Sequence, residues 1–283
     1  MALTDIIDTH HHFWDPEKAD YPWLTEALGP INRAFAPVDL APLLAPAEVR
    51  GTILVQTRSS LGETADFLEL AAKNDFILGV VGWVDMTSAG IDAELDGLLD
   101  GPNGKWLKGI RHQVHDEEDA NWLLRPDVHF ALNEIEARGL AYDLLIRERE
   151  IPAALEVVGA FPKMRFVVDH IAKPNIAEGG FASWAKLIEG FVEHRAHVWC
   201  KLSGLVTEAD WDNWHPDDLQ PYMEKVLEVF GANRVMLGSD WPVCLLAATY
   251  EDVLNVGRSF AAAQGAEAEK SMRTGAAISA YRL

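Results

Sequence analysis

The sequence is poor in cysteine, in basic residues and in long apolar runs. Two cysteines, Cys200 and Cys244, in 283 residues cannot build a disulfide scaffold, and such low usage is typical of a reducing compartment. The 24 Lys and Arg face 44 Asp and Glu, a net charge of −20 that repels nucleic acids and anionic membrane surfaces. No apolar run reaches the roughly 20 residues of a membrane helix, and no secretory signal pattern opens the chain. We therefore expect a cytoplasmic protein that binds a small molecule, with homo-oligomers left open.

Short runs of β-branched residues alternate with segments of helical periodicity. Runs such as Thr52 to Val55 are apolar on both faces, as strands covered on both sides must be. Eight such strands predict an α/β protein with a single (β/α)8 TIM barrel as one domain over residues 1–283; a doubly wound open sheet is the alternative. The predicted strands are Ile6 to Phe13, Gly51 to Thr57, Ile77 to Asp85, Leu107 to Val114, Ala141 to Ile146, Arg165 to His170, His197 to Ser203 and Arg234 to Asp240.

The helical segments carry start and stop signals. Leu61 to Lys73 follows Ser60, which stands with Glu63 at the spacing of a capping box, and Val128 to Arg138 stops at a glycine. The longest irregular stretch, Trp14 to Arg50, is rich in aromatic residues and proline. A connection of this length is usually a functional loop, and a hydrophobic plug over the barrel floor is the alternative.

Polar side chains stand at the carboxyl end of every predicted strand. In a barrel these ends meet at one mouth, where the chemistry of the fold is found. We expect the mouth to gather His10, His11 and His12; Gln56 and Arg58; Trp83 and Asp85; Arg111, His112 and Gln113; Tyr142 and Asp143; Asp169, His170 and Lys173; Lys201 and Ser203; and Asp240 and Trp241.

Alternation along the first strand places His10 and His12 on one side, while His11 faces the helix layer. Paired neutral imidazoles are good ligands for zinc and equally good donors to a substrate oxygen. Asp240 can orient and deprotonate water if nearby cations keep it ionised; a helix N-cap or a buried ion pair is the alternative. For His170 the alternative is a core histidine bonded to a carbonyl.

Five motifs stand in order along nearly the whole chain: Asp8 to Trp14, Arg111-His112-Gln113, Asp169 to Pro174, Lys201 to Gly204 and Gly238 to Pro242. Together they resemble the amidohydrolase superfamily, and more narrowly its amidohydrolase-2 and sugar-lactonase group. That group includes hydrolases of L-fuconolactone, L-rhamnonolactone and 2-pyrone-4,6-dicarboxylate. The resemblance implies a distorted (β/α)8 barrel and hydrolysis of an ester-like bond.

The resemblance carries roles to four residues: His10 and His12 as the strand-one pair, His170 as the strand-six histidine and Asp240 as the strand-eight acid. In metal-dependent relatives these positions bind zinc or a similar ion. The predicted fourth strand ends in Arg111 and His112 instead of a bridging lysine or glutamate, and the fifth has no histidine. We therefore expect no binuclear centre, and either one divalent ion, zinc before others, or no required cofactor.

The mechanism expected from these roles starts with Asp240 taking a proton from water, while His10, His12 and His170 stabilise the oxyanion, with or without a metal. Asp240 then returns the proton to the ring oxygen that leaves. By analogy, Arg111, His112 and Gln113 hold the hydroxyls or the ring of the substrate, and the lesser candidates are Arg58, Tyr142 and Lys173. The apolar walls are assigned to Trp14 and Trp241.

Charge at the strand ends favours a neutral sugar lactone, such as an L-fuconolactone-like aldonolactone. A dicarboxylated ring would need several arginines, and only Arg58 and Arg111 stand on strand ends. An anionic lactone is the second choice. A metal-dependent decarboxylase of the same group and a non-catalytic binding protein are the competing hypotheses.

Overall fold

The computed structural model of the chain describes residues 5–283. Eight strands pair in chain order, each parallel to the next, and a parallel bridge between His11 and Trp241 joins the end of the sheet to its beginning. The predicted (β/α)8 barrel is therefore confirmed, and the open doubly wound sheet is excluded because the strand order never reverses. The strands are β1 (Ile6–His11), β2 (Val49–Val55), β3 (Ile77–Gly82), β4 (Leu107–His112), β5 (Ala141–Leu144), β6 (Arg165–Val168), β7 (Val198–Leu202) and β8 (Val235–Leu237).

Every predicted strand is found, and each ends earlier than predicted. The chain leaves the sheet before the last predicted residues, so that Gln56, Asp169 and Asp240, for example, lie beyond the ends of their strands. The α-helices are α1 (Pro37–Leu44), α2 (Leu61–Lys73), α3 (Ile91–Leu99), α4 (Pro126–Ala137), α5 (Ile151–Ala160), α6 (Phe181–Ile188), α7 (Leu205–Glu208), α8 (Pro216–Phe230), α9 (Tyr250–Ala263), α10 (Ala266–Lys270) and α11 (Ala276–Tyr281).

Helix α2 has the predicted bounds, and its cap is present because Ser60 Oγ accepts from the backbone N–H of Glu63 at 3.2 Å. The stretch from Trp14 to Arg50 is more regular than predicted. Helix α1 lies inside it and opens with Pro37, whose fixed φ suits the first helical position. Among residues 5–283, no helix is both long and apolar enough to cross a bilayer.

The segment from Trp14 to Phe35, which we call the aromatic segment, covers the mouth of the barrel and does not plug the floor. Trp14 and Phe35 exchange backbone hydrogen bonds, and the Phe35 ring packs on Trp241 beyond β8. The floor is closed instead by α11, where Ala277 and Tyr281 pack on interior residues of the strands. The physical reason is direction: a connection that leaves the carboxyl end of a strand starts at the mouth.

A β-bulge in β1 decides which side its histidines face. The pairing of β1 with β2 shifts register between Asp8 and His11. Ile7 faces the barrel interior, where it packs with residues of α11. Since alternate residues of a strand face the same side, unbroken alternation from Ile7 would point His11 inward. The extra residue reverses the alternation and sends His10 and His12 into the mouth, while His11 turns outward to Thr52 at 2.9 Å.

Candidate active site

Three imidazoles and one carboxylate converge at the mouth of the barrel. His10 Nε2 lies 3.1 Å from His12 Nε2 and 3.8 Å from Asp240 Oδ1. His12 Nε2 is 3.3 Å from the same oxygen, and His170 Nε2 is 3.8 Å from it. All four side chains are at least nine-tenths buried. Residues 230 positions apart thus form one compact cluster, which we call the histidine cluster.

The tautomer of His12 is fixed by a backbone partner. Its Nδ1 lies 2.8 Å from the carbonyl oxygen of Val55, at the end of β2, and a carbonyl can only accept. The proton of neutral His12 therefore sits on Nδ1. This leaves the Nε2 lone pair pointing at Asp240 and the cavity, as a ligand or acceptor.

His170 reaches the cluster through a left-handed turn. Residues 170–173 all have φ between 46° and 60°, a conformation that costs about 1 kcal/mol or more per non-glycine residue. Trp184 Nε1 holds the turn by donating to the Ile171 carbonyl at 2.7 Å, and Ser203 Oγ lies 2.9 Å from His170 Nδ1. At Gly204, with φ of 66°, a Cβ would stand only 2.7 Å from that ring nitrogen, so glycine is required.

Asp240 is also held in the left-handed region, with φ of 58°, and its backbone N–H donates to the His10 carbonyl at 2.8 Å. Burial alone would raise the pKa of Asp240, but His170, His12 and Lys173 outweigh it and hold the pKa below its usual value. Burial lowers the pKa of His170 to about 4 and that of His10 well below its usual value. Near neutral pH the cluster therefore combines an ionised Asp240 with neutral His10 and His170.

A buried charge network lies beneath the cluster. Lys201 Nζ is 2.6 Å from Asp143 Oδ2, 2.8 Å from Asp169 Oδ1 and 3.2 Å from His10 Nδ1. Arg111 Nη1 lies 2.9 Å from Asp169 Oδ2 and 3.1 Å from His10 Nε2. Sequence reasoning placed these residues at strand ends but gave no role to Lys201, Asp143 or Asp169. Alternation from Ala141, Val167 and Trp199, which face the barrel interior, could have found them.

A cavity of about 270 Å³ opens above the cluster. The sequence-predicted residues Arg111, Gln113 and Lys173 line it together with His12, His170 and Asp240. Sequence reasoning missed the other lining residues because most of them belong to loops: Trp23, Leu28, Ile31, Thr57, His115, Asp116, Leu145, Arg147, Val243 and Leu246. One wall is thus apolar and the rim is polar, as expected for a small-molecule site.

His112 and Tyr142 were expected in the mouth, but the structure turns both away from this cavity. Alternation is the reason, since Arg111 and Asp143 beside them point inward. His112 stacks on Trp122 with centroids 4.2 Å apart, and its Nε2 lies 2.8 Å from a Glu117 oxygen. Tyr142 is fully buried between the sheet and the helices. Neither side chain is placed to touch a ligand in the cavity.

The two tryptophans expected as walls pack behind the cavity. Trp14 Nε1 donates to the Ile31 carbonyl at 3.2 Å and its ring packs on Trp23 and Phe35. Trp241 is buried against Phe13 and Phe35. Trp23, which donates from Nε1 to the Thr57 carbonyl at 3.0 Å, lines the cavity in their place.

Arg58 lies outside the cavity of the histidine cluster. Its guanidinium is 5.7 Å from the Tyr21 ring and its Nε is 3.7 Å from a Glu63 oxygen. It lines a separate pocket on the far side of the aromatic segment. The strand-end position was right, but the chain turns outward after Thr57.

Comparison with known proteins identifies the family. Residues 7–283 match the amidohydrolase family, and the chain belongs to it. An L-fucono-1,5-lactonase of Burkholderia ambifaria is 39% identical over 88% of this chain and 84% of its own length, and one of Burkholderia multivorans is 36% identical over 98% and 96%. A solved amidohydrolase of B. multivorans with bound zinc superposes with a TM-score of 0.92 at 35% identity, over 98% of this chain and 99% of that one. The predicted amidohydrolase resemblance is confirmed, and the protein is a hydrolase.

Proposed function

We propose that this protein is a sugar lactonase, which opens the ester ring of a neutral aldonolactone such as L-fuconolactone by attack of water. The observation that carries the proposal is the convergence of His10, His12, His170 and Asp240 within 4 Å contacts at the floor of a small cavity. The relatives named L-fucono-1,5-lactonase support the substrate class.

Asp240 is the proposed general base. Its carboxylate stays ionised, because His170, His12 and Lys173 hold its pKa low despite burial. A positioned base of this kind contributes about 10²–10⁴ in rate. After the ring opens, Asp240 returns the proton to the alkoxide oxygen that leaves. The left-handed backbone at Asp240 fixes the direction of the carboxylate before substrate arrives.

The histidines divide into acceptor and donor. His12 offers a lone pair at Nε2, because its proton is committed to the Val55 carbonyl. His170 can donate from Nε2 when Ser203 Oγ donates to its Nδ1, so we assign the oxyanion contact to His170 rather than to all three rings. One preorganised donor of this type is worth about 3–4 kcal/mol. The His10 ring packs against both, with its centroid 4.8 Å from that of His12 and 4.3 Å from that of His170.

The donor set fits one divalent metal ion. Tetrahedral zinc with ligand bonds of about 2.0–2.2 Å places its ligand atoms about 3.4 Å apart. The His10, His12 and Asp240 atoms are 3.1, 3.3 and 3.8 Å apart, and His12 Nδ1 is already bound to a carbonyl as a zinc ligand requires. His10, His12 and Asp240 would hold the ion, and His170 would keep its Nε2 proton for the oxyanion contact. When bound, it would lower the pKa of a water molecule and polarise the lactone carbonyl.

The charge around the cavity favours a neutral substrate. Arg111 is paired with Asp169, and Lys173 with Glu208, so two of the lining cations are already compensated. An anionic substrate would have to displace these partners. The apolar wall of Trp23, Leu28 and Ile31 suits the C–H face of a sugar ring, and the small volume suits a single ring.

A pH-indicator screen of aldonolactones, run with and without a chelator, tests the proposal. We expect acid release from a 6-deoxyhexono-1,5-lactone above the rate of spontaneous opening, and no carbon dioxide from aromatic acids. Activity on none of the lactones, or release of carbon dioxide, would refute the lactonase assignment. The chelator arm reports whether the metal site takes part.

A further inference from the structure

The last helix of the chain reaches the active site from below. Helix α11 fills the floor of the barrel, and its residues Ala276, Ala277, Ala280 and Tyr281 are at most 1% exposed. Tyr281 points up the barrel axis, and its hydroxyl donates to Asp143 Oδ2 at 2.7 Å. Arg165 Nε pins the same helix by donating to the Ala280 carbonyl at 2.6 Å.

Asp143 is linked to the histidine cluster through Lys201, which lies between Asp143 and His10. Among residues 5–283, its Oδ2 receives Tyr281 and Lys201, whereas its Oδ1 has no hydrogen-bond partner. Lys201 Nζ donates to Asp143 Oδ2 at 2.6 Å, forms an ion pair with Asp169 Oδ1 at 2.8 Å and lies 3.2 Å from His10 Nδ1. The position of the ammonium, and so the contact on His10, depends on how firmly Asp143 is held.

We propose that Tyr281 is a positioning residue of the active site, acting on His10 through Asp143 and Lys201. The inference rests on the proposed function for its kinetic part only. Among the described residues, Tyr281 supplies one of the two hydrogen bonds that Asp143 receives, and loss of a bond to a buried charged group is costly. The Tyr281 ring also lies 5.5 Å from Lys201 Nζ. The hydroxyl of Tyr281 therefore contacts Asp143, while its ring contacts Lys201, the ion-pair partner of Asp143.

Burial, together with the charge of Asp143, raises the pKa of Tyr281 well above its usual value, so the hydroxyl remains a donor. Burial raises the pKa of Asp143 to about 6, although Lys201 opposes the shift. The Tyr281 hydroxyl therefore keeps the proton that it donates to Asp143.

The test compares Tyr281→Phe with Tyr142→Phe. The first variant removes one hydroxyl and keeps the ring over Lys201. The second removes a buried hydroxyl that has no partner among the described residues and lies on the outer side of β5. We expect Tyr281→Phe to lower kcat on the lactone by about tenfold with KM within about twofold, because the defect lies beneath the cluster and not in the cavity. Tyr142→Phe should keep both constants.

A second readout needs no substrate. In histidine labelled with ¹⁵N, the ring signals of His10 should shift in Tyr281→Phe and stay in place in Tyr142→Phe. Unchanged kcat and unchanged His10 signals in Tyr281→Phe would overturn the inference, as would equal losses in the two variants. If the wild type opens no lactone, the proposed function fails, and the His10 signals alone decide this inference.

A double-mutant cycle separates an effect through Asp143 from a general effect of the substitution on folding. With Asp143→Ala as the background, the further change Tyr281→Phe should alter the His10 signals far less than it does alone, because the acceptor of the Tyr281 hydroxyl has been removed. Additive effects of the two substitutions would show that Tyr281 acts by another route and would overturn the inference.

Discussion

At the scale of single residues, the chemistry of the mouth depends on which proton each buried side chain keeps. His12 has its proton fixed on Nδ1 by a carbonyl, His170 is neutral near pH 7 because burial lowers its pKa to about 4, and Asp240 is ionised. Each of these states follows from burial or from a neighbour within hydrogen-bond or ion-pair distance. Single substitutions should therefore separate the roles.

Replacement of the proposed base should abolish most turnover. Asp240→Asn keeps the shape of the side chain but cannot accept the proton of water, so we expect kcat on the lactone to fall at least about a hundredfold. Steady-state kinetics measures the loss. Asp92→Asn, an exposed carboxylate on α3, is the matched control and should keep the wild-type rate. A rate near that of the wild type in Asp240→Asn would refute the assignment.

The proposed metal site makes its own prediction. Titration with zinc should give about one equivalent per chain, and His12→Gln should weaken that binding by at least about tenfold because a ligand atom is lost. Calorimetry on protein stripped with chelator measures both. His112→Gln is the control, since that ring faces Trp122 and not the cluster. Equal zinc affinity in the wild type and in His12→Gln would argue against this site.

At the scale of elements, the site is built by segments that depart from regular structure. The bulge in β1 turns His10 and His12 inward, the left-handed turn after β6 delivers His170, and the aromatic segment after β1 supplies the lid of the cavity. Hydrogen bonds from Trp184 to the Ile171 carbonyl and between Ser203 and His170 stabilise the left-handed turn against its strain. Regular strands alone would have carried these side chains elsewhere.

The aromatic segment should control substrate affinity through Trp23. Truncation in Trp23→Ala removes the apolar wall, and we expect KM to rise about tenfold, near 1.4 kcal/mol, with a smaller change in kcat. Saturation kinetics with the best lactone measures this split. Trp211→Ala removes a half-exposed indole outside the cavity and should leave KM unchanged. A fall in kcat alone would contradict a role for Trp23 in binding.

At the scale of the whole molecule, charge is sorted by depth. The surface carries most of a net charge of −20, while the barrel interior holds neutral histidines and paired charges. Each neutral buried histidine binds fewer protons when folded than when unfolded. Stability therefore rises with pH up to the unfolded pKa near 6.5 and is lost as pH falls below it.

His11 tests this outside the histidine cluster. Burial lowers its pKa to about 3, so between pH 7 and pH 5 the unfolded chain gains a proton there and the folded chain does not. We expect this residue to account for about 2 kcal/mol of the stability lost over that interval. Urea unfolding at both pH values measures the loss, and His11→Gln should show a correspondingly shallower dependence. An identical dependence in the variant would contradict the buried neutral state.

The sequence by itself determined the number and order of the strands and the identity of the converging groups. Alternation of β-branched runs with helical segments is a local pattern, and it survives because every strand of the barrel is buried on both faces. The rule that strand ends meet at one mouth predicted that His10, His12, His170 and Asp240 lie close together, although it did not predict the bulge and the left-handed turn that orient them.

Only the tertiary structure decided which neighbours of those groups face the cavity. Strand alternation turns His112 and Tyr142 away from the cavity. Trp23 lines the cavity instead of Trp14 and Trp241, because a loop packs wherever it finds apolar surface. The contact of Tyr281 with Asp143 joins residues 138 positions apart. Local sequence propensity cannot predict such a contact, because the contact forms only once the barrel has closed around its last helix.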